Sequence, residues 1–586
     1  MAVDQSPMNT LITEHIDIWT SAVKTKSTSG RGSSKKQELY GVKKLRELIL
    51  ELAVRGKLVP QDPSDEPASV LLERIAQEKA QLIKDKKIKR SKKLSPVAEE
   101  DLKDDLPLGW QVSRLGEFVS IIRGITFPAS AKHNEPESNL IACLRTANVQ
   151  TQLDWDDLIY VERSYVKREE QMLAVGDIVM SMANSRELVG KVSYTYFLPK
   201  NLDVSFGGFL SVIRPYQLDS AFLMMVLRSP SVRDELVGSS SQTTNIANIS
   251  LEKLNPLVVS IPPLKEQHRI VAKVDELMAL CDQLEQQTEA SIEAHQVLVT
   301  TLLDSLLLSA TTAEGSLTNS ANAEDNVTAK SGGNVTDIKN VNAGKNFEQN
   351  WQMIADHFDT LFTTEESIEQ LKQTILQLAV IGKLVPWSVD AQENELKKYL
   401  SFGPRNGFSP KEAPTETDVS VLKLGATTYG YLDLGQTKYV DIKVRDDSHL
   451  WLRKGDILIQ RGNSANYVGC NCLVKMDVAG VIYPDLMMKL RTVENLNPEF
   501  LSIWLSSPKS RQFMWDRMTG TSGTMPKISK KIVESIPIIV PSTAEQALIV
   551  NRVNELMALC DRLKARLSDA QITQIHLTDA FVEQAI

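Results

Sequence analysis
Apolar residues along the chain alternate between two regimes, one helical in period and one strand-like. From Leu264, the residues Ile270, Val271, Val274, Leu277, Met278, Cys281 and Leu284 recur at spacings of three and four, and the stripe continues through Ile292, Leu298, Leu302 and Leu306. This period predicts a coiled-coil helix rather than a strand, and about 45 residues at 1.5 Å each make a rod of roughly 65 Å. Ile549, Val553, Leu556, Met557, Cys560, Leu563 and Leu567 repeat the phase near the C-terminus. Pro262-Pro263 and Pro541 stand where each long helix begins, as a proline near the first helical position does. Shorter stripes lie at 43–58 (Leu45, Leu48, Ile49, Leu52) and 368–384 (Leu371, Ile375, Leu378), with Gly56 and Gly382 at C-cap positions. Between the helical stretches run short β-branched and aromatic segments such as LIYVE, GDIVMSM, FLSVIRP, GDILIQ and VIYPDLMM, broken by Gly, Asn, Asp and Pro. A short helix is expected near 218–228 and another near 498–506.

The chain repeats itself. LRELILELAVRGKLVP at 45–60 matches LKQTILQLAVIGKLVP at 371–386 in 11 of 16 positions, and VDELMALCDQL at 274–284 recurs as VNELMALCDRL at 553–563 with 9 of 11. Between these anchors Gly176-Asp177-Ile178 pairs with Gly455-Asp456-Ile457, Asn184-Ser185 with Asn463-Ser464, Val189-Gly190 with Val468-Gly469, and Glu266-Gln267 with Glu545-Gln546, all 279 residues apart. The first block repeats at 326, so the first copy carries 47 extra residues behind its opening helix. A tandem duplication follows, with two similar frames and two diverged interiors.

The expected fold class is α+β: two α/β globules separated by long antiparallel coiled-coil helices. The expected order is a mobile leader (1–36), an N-terminal helical region (37–105), a first globule (106–263), a central spacer helix (264–308), a flexible linker (309–346), a second helical region (347–390), a second globule (391–541) and a C-terminal spacer helix (542–586). The linker assignment rests on composition, since 26 of its 38 residues are Ser, Thr, Asn, Ala or Gly.

At 586 residues and 42% hydrophobic content the chain is long enough for several cores. Its net charge of −8 excludes nucleic-acid binding by bulk charge but leaves local basic surfaces open. Five cysteines cannot frame a disulfide scaffold; with no signal pattern or long apolar run, a cytoplasmic protein with no membrane partner is expected. Gly-Lys at 56, 190, 344 and 382 is never followed by Ser or Thr, so no P-loop is visible. Asn497-Pro498-Glu499-Phe500 superficially resembles an amino-methyltransferase loop but lacks the second Pro, and an N-cap Asn with Pro at N1 explains it. Pro484-Asp485 has no Glu-x-Lys downstream of it, Cys470-x-Cys472 has no second pair, and the seven histidines form no His-x-x-x-His motif. No catalytic set and no metal site is expected.

Basic and amide-bearing residues instead gather at expected loop tips. The first globule has Arg123, Thr126, Arg145, Asn148, Asn184, Ser185, Arg186 and Lys191, with Thr243, Thr244 and Asn245 further on. The second has Arg405, Asn406, Thr427, Thr428, Gln460 and Arg461, then Asn463, Ser464, Thr524 and Lys527. Arg matches the O6/N7 edge of guanine, Asn and Gln match adenine, and Ser, Thr and Lys hold phosphates. Each alone is more often an ordinary loop residue; matching positions in both copies favour DNA contact. The run KDKKIKRSKK at 84–93, with seven basic residues in ten, reads first as a solvated stretch and second as a phosphate contact.

ELAVRGKLVPQDPSDEPASVLLERI at 51–75, LPLGWQVSRLGE at 106–117 and PPLKEQHRIVAKVDELMALCDQLE at 262–285 resemble the repeated region of type I restriction–modification specificity subunits. The second copy departs in lacking the Gly-Trp…Leu-Gly-Glu segment and the basic stretch, so its opening strand is expected to differ. The resemblance implies a non-catalytic subunit that reads a bipartite, asymmetric site on double-stranded DNA, one half per target recognition globule. It also implies two methyltransferase (modification) subunits, which bring S-adenosylmethionine and adenine-N6 methylation, and two motor–nuclease (restriction) subunits. No cofactor is expected in this chain, and the setting is a bacterial or archaeal cytoplasm. Leu277, Met278, Cys281, Leu284, Leu556, Met557, Cys560 and Leu563 are then expected at a subunit interface. The rival is a coiled-coil adaptor whose globules bind protein; a single-chain methyltransferase is a further one.

Overall fold
In a computed structural model the chain divides into two compact units, residues 1–290 with 571–586 and residues 291–570. The structure describes residues 12, 14–26, 36–85, 88, 94–98, 106–185, 188–200, 202–238, 241–243, 246–312, 346–388, 392–520 and 525–586. Most of the linker and of the basic 84–93 run lies outside them.

Both units contain the same two sheets, which is the repeat made physical. The first unit has an antiparallel four-stranded sheet in the order Val119–Arg123, Leu210–Pro215, Ile178–Ser181, Val192–Tyr194. Its counterpart in the second unit runs Leu400–Asn406, Met487–Thr492, Ile457–Gln460, Asn471–Leu473. A three-stranded sheet packs on each. In the first unit Leu140–Leu144 pairs parallel with Val204–Phe206 and antiparallel with Ile159–Glu162; in the second Ser420–Leu422 pairs parallel with Val481–Ile482 and antiparallel with Thr437–Tyr439. A third pairing closes each globule: Gln111–Arg114 against Val258–Ile261, and Glu393–Glu395 against Pro537–Ile539. The second copy's opening strand thus does not differ in place, correcting the sequence expectation. Backbone pairing, which is indifferent to side chains, suffices to keep it.

The short repeated motifs are frame. Gly176 and Gly455 turn at φ +92° and +88°, a conformation open chiefly to glycine. Each following aspartate is buried: Asp177 Oδ2 accepts from Ala174 N at 2.8 Å and Asp456 Oδ2 from Arg453 N at 2.9 Å. The neighbouring strand supplies a guanidinium to each, Arg214 Nε at 2.6 Å from Asp177 and Arg491 on Asp456. The expected helices are Ser220–Arg228 and Pro498–Ser506. Asp219 caps the first through the N–H groups of Ala221 and Phe222, and Asn497 the second through those of Glu499 and Phe500. The buried Gln267 and Gln546 then tie globule to helix. Each amide donates to a carbonyl just before its own helix (Pro262 at 2.9 Å, Pro541 at 2.8 Å) and accepts the N–H of the cap residue, Asp219 at 3.0 Å and Asn497 at 2.7 Å.

The long helices are Leu264–Thr312 and Thr543–Ala585, of 49 and 43 residues. Ile270, Val274, Leu277, Cys281 and Leu284 are buried as expected. Further on, the buried positions are Val299, Leu303 and Leu306, while Leu298 is 50% exposed and Leu302 only partly covered. The expected seam is one residue out of phase at Leu298 and Leu302 and right at Leu306, because a straight helix of period 3.6 drifts by about 20° per heptad and hands the stripe to the next residue. In the second unit Val299, Leu303 and Leu306 share one core with Ile549, Val550, Val553 and Cys560.

The described part of the leader is ordered, against expectation. Helix Ile16–Ser21 leads into strand Val23–Lys26, which pairs with Lys36–Leu39. Trp19 is fully buried with its ring 5.6 Å from Phe581, and Tyr40 donates to Asp579 Oδ1 at 2.7 Å. A single indole supplies enough apolar area to anchor a short helix without a repeating stripe. Among the described residues no helix is long and apolar enough to cross a membrane.

Candidate nucleic-acid interface
In the second unit strand Ile457–Gln460 delivers Gln460 into a buried network. Its Nε2 donates to Leu424 O at 2.9 Å and Thr427 Oγ1 at 3.0 Å, and its Oε1 accepts from Asn463 Nδ2 at 2.7 Å. Thr427 is fully buried as well. Both polar edges of Gln460 are therefore engaged inside the fold, and with Thr427 it braces the loop tips. Asn463 Oδ1 accepts from Ser464 N at 2.7 Å, and Asn184 repeats this turn in the first unit with Ser185 N at 2.9 Å.

Other residues reach outward from this bracing. Arg461 follows Gln460, and Ile528 N donates to its carbonyl at 2.8 Å. Gly462 bridges to Lys527, so strand ends distant in sequence bring Arg461 and exposed Lys527 side by side. Arg461 Nε is buried with no partner among the described residues, a donor that an incoming acceptor would satisfy. Arg405 is exposed and Asn406 half-buried; they end the edge strand two places across the same sheet, Asn406 opposite Met488 and Gln460 opposite Met487. Two strand spacings are about 10 Å. Thr428 is half-buried, its hydroxyl donating to Leu424 O, and Thr524 lies outside the described residues. Beyond Thr428 stand two aromatics that sequence reasoning missed: Tyr429 and Tyr431, 76% and 60% exposed, stack 6.3 Å apart around Gly430 at φ +80°. The visible signal was a Tyr-Gly-Tyr turn beside a Thr-Thr pair.

The first unit distributes its polar groups differently. Asn148 is fully buried, with Nδ2 donating to Asp154 O and Asp157 O at 3.0 Å and Oδ1 accepting from Arg145 N at 2.7 Å. Arg145 pairs with Asp157 at 2.6 Å. Asn148 holds the 145–157 loop rather than reaching outward, and Arg145 braces it through Asp157 while its buried Nε, like that of Arg461, has no partner among the described residues. Arg123, Thr126 and Ser185 are exposed and Lys191 is half-buried. At the position of Gln460 stands Ser181, whose buried hydroxyl has no partner among the described residues. Thr243 is placed only by its strand, opposite Ile246. Arg186, Thr244 and Asn245 lie outside the described residues. Phe209, Tyr196 and Phe197 are the exposed aromatics of this unit.

A cationic groove of about 860 Å³ opens along the second unit's four-stranded sheet. Its floor is Lys489 and Arg491 over the single buried carboxylate of Asp456, with Lys489 Nζ at 3.2 Å from Asp456 and donating to Trp451 O at 2.8 Å. Burial lowers the Lys489 pKa, and Arg491 and Arg453 press the same way against Asp456. His449, also in the wall, is held below its ordinary value chiefly by burial.

The residues expected at a subunit interface are covered by the chain itself. Leu277, Cys281 and Leu284 are buried within the first unit and Cys560 within the second, where Leu556, Met557 and Leu563 pack partly buried on the same core; Met278 is half-buried. No group of three or more His, Cys, Asp or Glu among the described residues could hold a metal.

The sequence profile of the type I restriction modification DNA specificity domain matches residues 107–294 and 406–574, one match per globule. The chain is 32% identical to the type I restriction enzyme EcoEI specificity subunit of Escherichia coli over 636 residues, covering 98% of this chain and 99% of that protein. It is 33% identical to the EcoAI specificity subunit of the same species over 634 residues, with 98% and 99% covered. The crystal structure of the HsdS subunit from Thermoanaerobacter tengcongensis aligns at 15% identity with a TM-score of 0.36, covering 82% of this chain and 97% of that one.

Proposed function
The chain belongs to the type I restriction–modification DNA specificity family and is a specificity subunit, the non-catalytic member of its enzyme; from that premise we propose that it reads a bipartite, asymmetric site on double-stranded DNA. Each globule takes one half-site. The two long helices set the spacing and dock two methyltransferase subunits, which carry S-adenosylmethionine to adenine N6, and two motor–nuclease subunits complete the restriction complex in the cytoplasm.

One observation carries this reading. The two globules share frame residues, Asp177–Arg214 with Asp456–Arg491 and Gln267 with Gln546, and differ at the strand ends and tips, where Ser181 stands at the position equivalent to Gln460 and the second has the Tyr429–Tyr431 pair. A common scaffold with different tips suits two unequal half-sites, since bases are read by side chains at groove edges while phosphates set register.

The test is Arg461→Ala in the assembled complex. Methylation is expected to relax at one half-site only, by the roughly 1–3 kcal/mol of a lost bidentate contact, with assembly unchanged. Loss of assembly would make Arg461 structural.

A further inference from the structure
We infer that the cationic groove of the second unit is a phosphate clamp, holding the backbone of duplex DNA beside the half-site that this unit reads. The inference rests on the proposed function and adds an asymmetry between the halves. Three cations reach the groove without a side-chain partner among the described residues: Arg405, Lys443 and Arg453, all exposed. Below them Lys489 and Arg491 share the one buried carboxylate of Asp456. Six cations line this groove against one lining acid, Asp447, which pairs with Arg445 at 2.7 Å. Such a surface attracts an anion with several separated charges, and Arg405 sets its mouth two strands across the sheet from the strand that ends in Gln460, in the row of Leu458 and three residues short of Arg461.

The first unit has dismantled the same place. Strand register puts Val212 where Lys489 stands and Ile122 where Arg405 stands, and the turn puts Ala174 at the position of Arg453. Arg214 and Asp177 form a one-to-one pair. The neighbouring segment satisfies its own charges, Arg163 with Glu169 and Asp203, and Arg168 with Glu170. Among the described residues the first unit therefore has no such cation cluster at the equivalent positions.

The experiment measures duplex binding against salt for the full chain assembled with its modification subunits. In Lys443→Gln/Arg453→Gln both changes fall on exposed side chains. The slope of log affinity against log salt is expected to become shallower by about 2, at about 0.9 per phosphate contact, while the methylated motif stays the same. Lys397→Gln/Lys398→Gln removes the same charge from exposed positions outside the groove and is expected to leave the slope unchanged. A wild-type slope in the groove variant overturns the clamp, and so does a change of motif, which would mean that the groove reads bases. Tight binding of inorganic triphosphate by the wild-type complex without DNA, lost in the groove variant, overturns it in favour of a free-anion site. If the wild-type complex shows no preference for any motif, it is the proposed function that fails, a distinct result.

Discussion
Glu266 and Glu545 occupy one position of the repeat, yet their carboxyls shift in opposite directions. Burial raises Glu266, against hydrogen bonds from Trp110 Nε1 at 3.1 Å and Gln61 Nε2 at 3.3 Å, and its Oε2 is buried without a partner among the described residues. Glu545 is lowered, first by the Ser542 hydroxyl and then by the backbone N–H groups of Ser542 and Ser388. A raised folded pKa means that ionised Glu266 destabilises the fold above its unfolded value, and acidification relieves this. A lowered one means that Glu545 stabilises the fold above its unfolded value and loses that as pH falls through its folded value. Glu266→Gln is therefore expected to raise the melting temperature more at neutral than at acid pH, and Glu545→Gln to lower it at neutral pH with the loss fading in acid. Matching pH trends in the two variants would contradict this. Burial also pushes the Cys281 and Cys560 thiols up to about 11. Alkylation of both is expected to be slow in the native chain and rapid after unfolding. At this scale the sequence was only half legible. Gln460, Thr427 and Asn148 have the chemistry of base readers, but hydrogen-bonding capacity is the same in a buried brace, and burial is set by neighbours far along the chain. The exposure of Arg405 and Lys527 was legible because charge on a loop tip finds few buried partners.

Among the elements, those with a long hydrophobic period were readable and those held by a single side chain were not. The long helices, the helix ends at Gly56 and Gly382 and the capped helices at Ser220–Arg228 and Pro498–Ser506 follow from spacing, caps and positive φ. The ordered leader does not, since Trp19 finds its partner at the far end of the chain. Leu277 and Leu298 separate true seam from expected seam. Leu277→Ala is expected to cost about 2–5 kcal/mol as a buried truncation and Leu298→Ala to stay within about 0.5 kcal/mol, both read by denaturant unfolding. Leu277→Asp, which buries a charge, is expected to abolish assembly or solubility. Equal costs for the two alanine variants would put the helix in the other phase.

For the molecule as a whole, the duplication was legible because two anchor strings bracket each interior at a constant offset, and the shared sheets follow from it. What the letters hid was the contrast between the interiors: a net charge of −8 conceals a groove in one copy that the other has neutralised. The central claim is that two unequal readers share one frame. Its most direct test is co-expression with the cognate modification subunit, followed by sequencing for methylated adenines. A single gapped motif with two different half-sites is predicted, and exchanging one globule should change one half alone. A stable complex that methylates nothing, or one whose motif is continuous, would contradict the account.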